Sequence, residues 1–296
     1  MNNSLSFSLN LWSDFQIMWS YSFMQHAFEA GTIVAVVAGI VGYFVVLRRL
    51  SFAAHALSHI GFAGAAGAVL LGLPPLVGLV AFTTGGSVGM AALSRHSESR
   101  DSQIGIVLAL MLGLGVLFIS LYKGYATEAY SLLFGEILGI SSYDVMATLV
   151  AALVIVLAMV LLYRRLLFSS LDPDVAQAKG VAVGAVHVAF LILIALATSI
   201  AVQVVGVLLI FSLMVTPAAA AQYLARRPLQ GIIIAVTVAL VTTWFGLFIS
   251  FYLPYPVSFF ITTASFAVYL LARTLKWQPR HSHSTILRID ELDATE

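Results

Sequence analysis

Nine runs of about 20 apolar residues, separated by short polar or Pro- and Gly-containing breaks, follow one another along this 296-residue chain. They fall at about 25–47, 54–73, 75–93, 103–122, 143–163, 185–204, 206–224, 229–252 and 257–275. Each is long enough to cross the roughly 30 Å hydrocarbon core of a bilayer as a helix. Inside that core every backbone N–H and C=O must be satisfied within the protein, so runs of this length fold as α-helices. The pattern therefore predicts an all-α, polytopic transmembrane helical bundle. Breaks as short as Leu73-Pro74-Pro75, Val205-Gly206 and Pro254-Tyr255-Pro256 leave room for eight to ten spans instead of nine. Only 9% of the residues are charged, against roughly 25% in soluble domains.

The cations set the orientation. With the nine spans laid out alternately, Arg48, Arg49, Arg95, Arg100, Arg164, Arg165, Lys179, Arg226, Arg227, Arg273, Lys276, Arg280 and Arg288 fall on one side, leaving Lys123 on the other. By the positive-inside rule that side is the cytoplasm, with the N-terminus outside and the C-terminus inside. Residues 1–24 then form an external or interfacial segment in which Trp12, Phe15, Trp19, Tyr21 and Phe23 lie along the membrane surface. No Lys or Arg precedes Arg48, so this segment lacks the charged start of a secretory signal and is expected to stay on the protein. Residues 25–276 form the membrane domain, and 277–296 a polar cytoplasmic tail. A net charge of +1 gives no reason to expect nucleic-acid binding, and zero cysteines exclude disulfides, thiolate metal sites and cysteine nucleophiles.

Two loops exceed mere connectors. The outer one, 123–143, reads as a short half-buried helix. The inner one, about 166–184, contains Ser-Leu-Asp-Pro-Asp-Val-Ala-Gln-Ala-Lys-Gly, in which Asp172 or Asp174 caps a short helix, Pro173 starts it and Gly180 ends it. Such a helix suits docking into another protein; a solvated turn is the plainer alternative.

The residues with the clearest chemistry are His55 and His59. Their spacing of four places both imidazoles on one helix face, where they offer two nitrogens to a borderline divalent metal. Ionisable groups within spans are costly, which raises the pair's claim to a function, while interfacial or helix-packing histidines are the plainer alternative. Other candidates carry weaker signals. His26 and Glu29 share a face and either assist metal entry or fix helix depth. His187 fits a packing role, and Glu136 and Asp144 either receive a metal outside or solvate the surface. Met214 offers a thioether and Thr216-Pro217 a freed carbonyl, both equally at home in helix packing. His281 and His283 in the tail are candidates for sensing metal. The small face of Gly61, Gly64, Ala65 and Ala68 permits close helix approach.

Four motifs occur in order: Gly42 to Gly64 with its Arg-Arg-Leu-Ser-Phe and His-Ala-Leu-Ser-His, Leu133-Phe134-Gly135-Glu136-Ile137-Leu138, the Asp174-x-Ala176-x-x-x-Gly180 loop, and Val205-Gly206-Val207-Leu208-Leu209 through Thr216-Pro217-Ala218-Ala219-Ala220. Together they resemble the permease subunit of the zinc/manganese/iron ABC importer family over about residues 25–275. The resemblance implies a type II, cobalamin-importer-like permease fold in a bacterial cell membrane, and a homodimer. It also implies an external metal-binding protein as donor and a cytoplasmic ABC ATPase subunit contacted through Asp174, Ala176 and Gly180. The cargo it implies is a transported Zn2+, Mn2+ or Fe2+ ion, with no covalently bound cofactor. Many family members carry Asp where this chain has His55. Imidazole in place of a carboxylate favours zinc over the harder manganese.

Other function classes fit less well. A proton-coupled secondary metal transporter is the alternative, but between Glu29 and Glu128 the acidic groups are Glu98 and Asp101, both in a loop. No G-x-x-x-x-G-K-[ST] motif occurs, so ATP hydrolysis is expected on a separate subunit and the chain itself is not an enzyme. No H-E-x-x-H motif marks it as a hydrolase, and Ser58 beside His59 has no orienting acid nearby.

Overall fold

The computed structural model describes residues 16–93, 100–122, 135 and 137–276. Among them are nine helices: α1 Ser22–Leu47, α2 Ser51–Leu70, α3 Pro75–Leu93, α4 Arg100–Leu121, α5 Ser142–Leu171, α6 Pro173–Ala178, α7 Val183–Leu224, α8 Pro228–Tyr252 and α9 Val257–Lys276. Eight are long and apolar enough to cross a membrane. One of these, α7, runs for 42 residues, about 63 Å if straight and twice what a bilayer requires.

It is not straight. Near its start Phe190 packs edge-on against Phe44, with ring centroids 6.2 Å apart. In the first turn of the helix that follows its end, Gly231 abuts the ring of Tyr43. Both ends of α7 therefore meet the same end of α1, and the chain must double back between them. It does so at Gly206, whose φ of 80° and ψ of 164° belong to a region that only glycine occupies without strain. The runs 185–204 and 206–224 are thus two passages joined at one residue, and the nine apolar runs survive as nine passages among the described residues. Gly135 (φ 76°) from the outer loop presses on this reversal, where a Cβ would sit 2.5 Å from the Gly206 amide nitrogen.

Several boundaries differ from the hydropathy reading, those of α2 and α5 among them. α2 begins at Ser51 and stops at Leu70, where Gly72 (φ 71°) turns the chain, instead of covering 54–73. α5 continues eight residues past Tyr163, through Arg164 and Arg165 to Leu171. Arg and Leu favour helix, so the charges end the apolar run without ending the helix.

The helices pack through small residues, as expected where lipid removes the hydrophobic drive for association. At Gly64 a Cβ would lie 2.6 Å from the Phe82 Cβ and closer still to the Gly78 carbonyl, so α2 and α3 meet backbone to backbone. Hydroxyls join the helices, with Thr83 and Ser199 sharing a 2.7 Å hydrogen bond between α3 and α7. α4 is peripheral: 6% of its span is buried, against 72% of α2. Arg48 reaches Ser169, Tyr163 packs on Phe44 and Tyr269 on Tyr223. These contacts gather Arg48, Arg49, Arg164, Arg165, Lys179, Arg226, Arg227 and Arg273 at one basic end of the bundle, as the alternating layout requires.

Candidate metal pathway and coupling helix

The His pair owes its position to the turn that precedes it. At the end of α1 the Leu50 N–H donates to the Val45 carbonyl (2.8 Å) and the Arg49 N–H to the Val46 carbonyl (3.1 Å). That pair of bonds is a Schellman cap with Arg49 left-handed at φ 58°, where glycine is usual. The turn launches α2 at Ser51, placing His55 in its second turn and His59 one turn further on.

The two rings stand nearly perpendicular, with centroids 4.7 Å apart and planes at 83°. The Phe211 ring, five residues beyond the Gly206 reversal, lies 4.7 Å from His55. Both imidazoles are half-buried, and the Nδ1 atom of each is buried without a hydrogen-bond partner. Leaving a buried polar atom unsatisfied costs roughly 1–3 kcal/mol. The two atoms lie on adjacent turns of one helix. No third His, Asp or Glu completes a metal cluster among the described residues, so the chain by itself offers two nitrogens.

The other sequence candidates do not converge on this pair. His26 and Glu29 sit near the start of α1, about 30 Å along it from Arg48. Asp144 serves the fold: with Ser141 it forms the capping box of α5, and its carboxylate accepts a 3.2 Å hydrogen bond from the Gln203 side chain beside the reversal. Met214 is buried and its carbonyl abuts Gly42, which accounts for it by packing. Pro217 is buried within α7. Ser58 donates its hydroxyl to the Ala54 carbonyl (3.1 Å) within α2. His187 lines a cavity beside Arg48, away from the His pair. Glu136, His281 and His283, and the expected outer helix apart from Gly135 and residues 137–143, lie outside the described residues.

The inner loop forms the short helix α6. Asp172, and not Asp174, is its cap, accepting the Val175 N–H at 3.0 Å, with Pro173 in the first turn. Gly180 closes it at φ 83°. Asp174 and Gly180 are exposed, whereas Ala176 is fully buried against the chain's own body. Sequence reasoning missed Phe211, the Asp144–Gln203 bond and the Gly135–Gly206 approach. Each joins residues far apart in the chain, and only the paired glycines left a trace in the sequence.

Comparison with known proteins bears on this arrangement. Residues 20–276 match the model of the ABC 3 transport family, and the chain belongs to it. It is similar to the manganese transport system membrane protein MntC of Listeria monocytogenes, 32% identical over 235 residues that cover 79% of this chain and 84% of that one. It is also similar to the chelated iron transport system membrane protein YfeC of Yersinia pestis, 32% identical over 266 residues covering 89% of each. In structure it resembles a chain of PsaBC from Streptococcus pneumoniae, solved in complex with a Fab, with a TM-score of 0.80 and 28% identity over 88% of this chain and 95% of that one. The chain is thus a multi-pass membrane permease of an ABC transport system.

Proposed function

We propose that this chain is the membrane-spanning permease of an ATP-driven importer of divalent transition metal ions, with zinc as its cargo and His55 and His59 as the transit site. The observation that carries the reading is the pair of orphaned Nδ1 atoms on adjacent turns of α2. A transit site must replace part of an ion's hydration shell and still release it. Two imidazoles meet that demand where a closed four-ligand shell would trap the ion. The named relatives handle manganese or chelated iron. Zinc is favoured here because two imidazoles suit a borderline ion better than manganese, which prefers oxygen. In a homodimer the second copy would bring two further nitrogens.

ATP hydrolysis belongs to a separate cytoplasmic subunit that docks on α6 through Asp174 and the rim around Gly180, with Ala176 seating the helix from behind. The basic end faces the cytoplasm, and an external metal-binding protein delivers the ion at the other. The test is ATPase activity of the reconstituted permease and ATPase, with the binding protein loaded in turn with zinc and manganese, for the native chain and His55→Asp. Zinc is expected to stimulate the native complex more, and His55→Asp to move the preference towards manganese. Stimulation by neither metal would reject zinc and manganese as cargo, and an unchanged preference in His55→Asp would place selectivity outside the pair.

A further inference from the structure

At the basic end, between the last turns of α1, α3 and α5 and the first turns of α6 and α7, lies a cavity of about 830 Å³. That is the size of a small-ligand site. Arg48 reaches across it. One guanidinium nitrogen, Nη1, donates to Ser169 Oγ at 2.9 Å and Ser170 Oγ at 3.2 Å, and the guanidinium carbon lies 5.8 Å from the centre of the Phe190 ring. A guanidinium carries five N–H donors, so these two bonds leave most of them unspent. Burial pushes the Arg48 group below its ordinary range.

Arg49 lines the same cavity, held there by its left-handed backbone, and His187 lines it from α7. No Asp or Glu is among the described residues that line it. Asp172, next to the lining Pro173, spends its carboxylate on the cap of α6. The positive end of the α7 dipole adds to the same field at Val183 and Gly184. Among the described residues, the half-buried Arg48 and the exposed Arg49 thus share a cavity whose lining carries no carboxylate, an arrangement that draws anions.

Position along the membrane normal selects the anion. The α1 span ends at Leu47 and the α7 span begins at Val183, and both residues line the cavity. It therefore lies where apolar helix gives way to water, the depth of lipid headgroups. We propose that this cavity binds the phosphate of an anionic phospholipid headgroup, gripped by the unspent N–H groups of Arg48 and by Arg49, while Ser169 and Ser170, whose hydroxyls donate to the Leu166 carbonyl, hold the Arg48 guanidinium in place. Planar, multi-donor guanidinium groups suit phosphate oxygens, and basic pockets between helices at the membrane surface are the expected form of such a site. The apolar walls formed by Leu47 and Val188 accommodate the glycerol portion.

Native mass spectrometry of the purified full-length chain, titrated with phosphatidylglycerol or phosphatidylcholine, tests the assignment. The native chain should retain phosphatidylglycerol over phosphatidylcholine, and Arg48→Gln should weaken that lipid by about tenfold, the loss expected for one charged hydrogen-bonding group. Arg49→Gly guards against misfolding, because glycine is the favoured residue at a left-handed helix cap. It should fold at least as well and still lose phosphatidylglycerol. Arg226→Gln, a cation at the same end but outside the cavity, should bind as the native chain does. Equal retention by the native chain and both cavity variants, or equal loss in Arg226→Gln, would overturn the site. Displacement of the lipid by millimolar inorganic phosphate, with no preference between the two lipids, would assign the cavity to soluble phosphate and overturn the lipid source.

Discussion

Replacing Gly206 with Ala should destabilise the protein, whereas the same change at Gly113 should not. Gly206 holds φ 80° and ψ 164° at the point where α7 turns back on itself, and Gly135 presses on its amide. An L-residue in that conformation is strained by about 1–3 kcal/mol. The gain from a stiffer unfolded chain offsets only about 0.4–1 kcal/mol. The net cost is up to about 2.6 kcal/mol, and at roughly 2–4 °C per kcal/mol the apparent melting temperature should fall by a few degrees. Gly113 lies in helical α4 with nothing within 4 Å of a Cβ, so Ala there should be neutral or stabilising by up to about 1 kcal/mol. Both variants and the native chain can be heated in one detergent, with the surviving monodisperse fraction followed by size-exclusion chromatography. Gly206→Ala melting at or above the native chain, or level with Gly113→Ala, would refute the reversal. A continuous helix through position 206 would welcome alanine.

Two further outcomes follow from the basic end. Asp172→Ala removes the cap of α6 and should cost about 0.5–2 kcal/mol locally, lowering transport more than abundance; unchanged uptake at equal expression would separate α6 from coupling. Because the chain has no cysteine, Gln177→Cys on α6 and Tyr143→Cys at the start of α5 report sidedness to an impermeant thiol reagent. Tyr143→Cys should label in intact cells and Gln177→Cys only after permeabilisation. The reverse pattern would invert the assigned orientation.

The membrane passages were legible because a bilayer imposes one length and one polarity on each of them. Even the Gly206 reversal showed as a break between two runs, although the backbone conformation that accomplishes it did not. The end of α5 was hidden because hydropathy registers where an apolar run meets Arg164 and Arg165, while the helix obeys backbone hydrogen bonding and continues to Leu171. The pairing of His55 with His59 followed from helical spacing alone. The approach of Phe211 depends on how α7 returns past α2, a tertiary fact that no local pattern carries. Capping rules narrowed the start of α6 to Asp172 or Asp174, and only the geometry chose between them. Arg48 and Arg49 read from sequence as topological markers, and their shared cavity emerged only when α1, α5 and α7 came together.

The reading of His55 and His59 as a transit site is tested most directly by uptake of radioactive zinc in cells lacking other zinc importers, comparing the native chain with His59→Ala at matched abundance. Alanine removes one of two nitrogens and leaves His55 facing Phe211 alone, so the account predicts uptake reduced to background while the protein stays inserted and folded. Native zinc uptake by His59→Ala would contradict it.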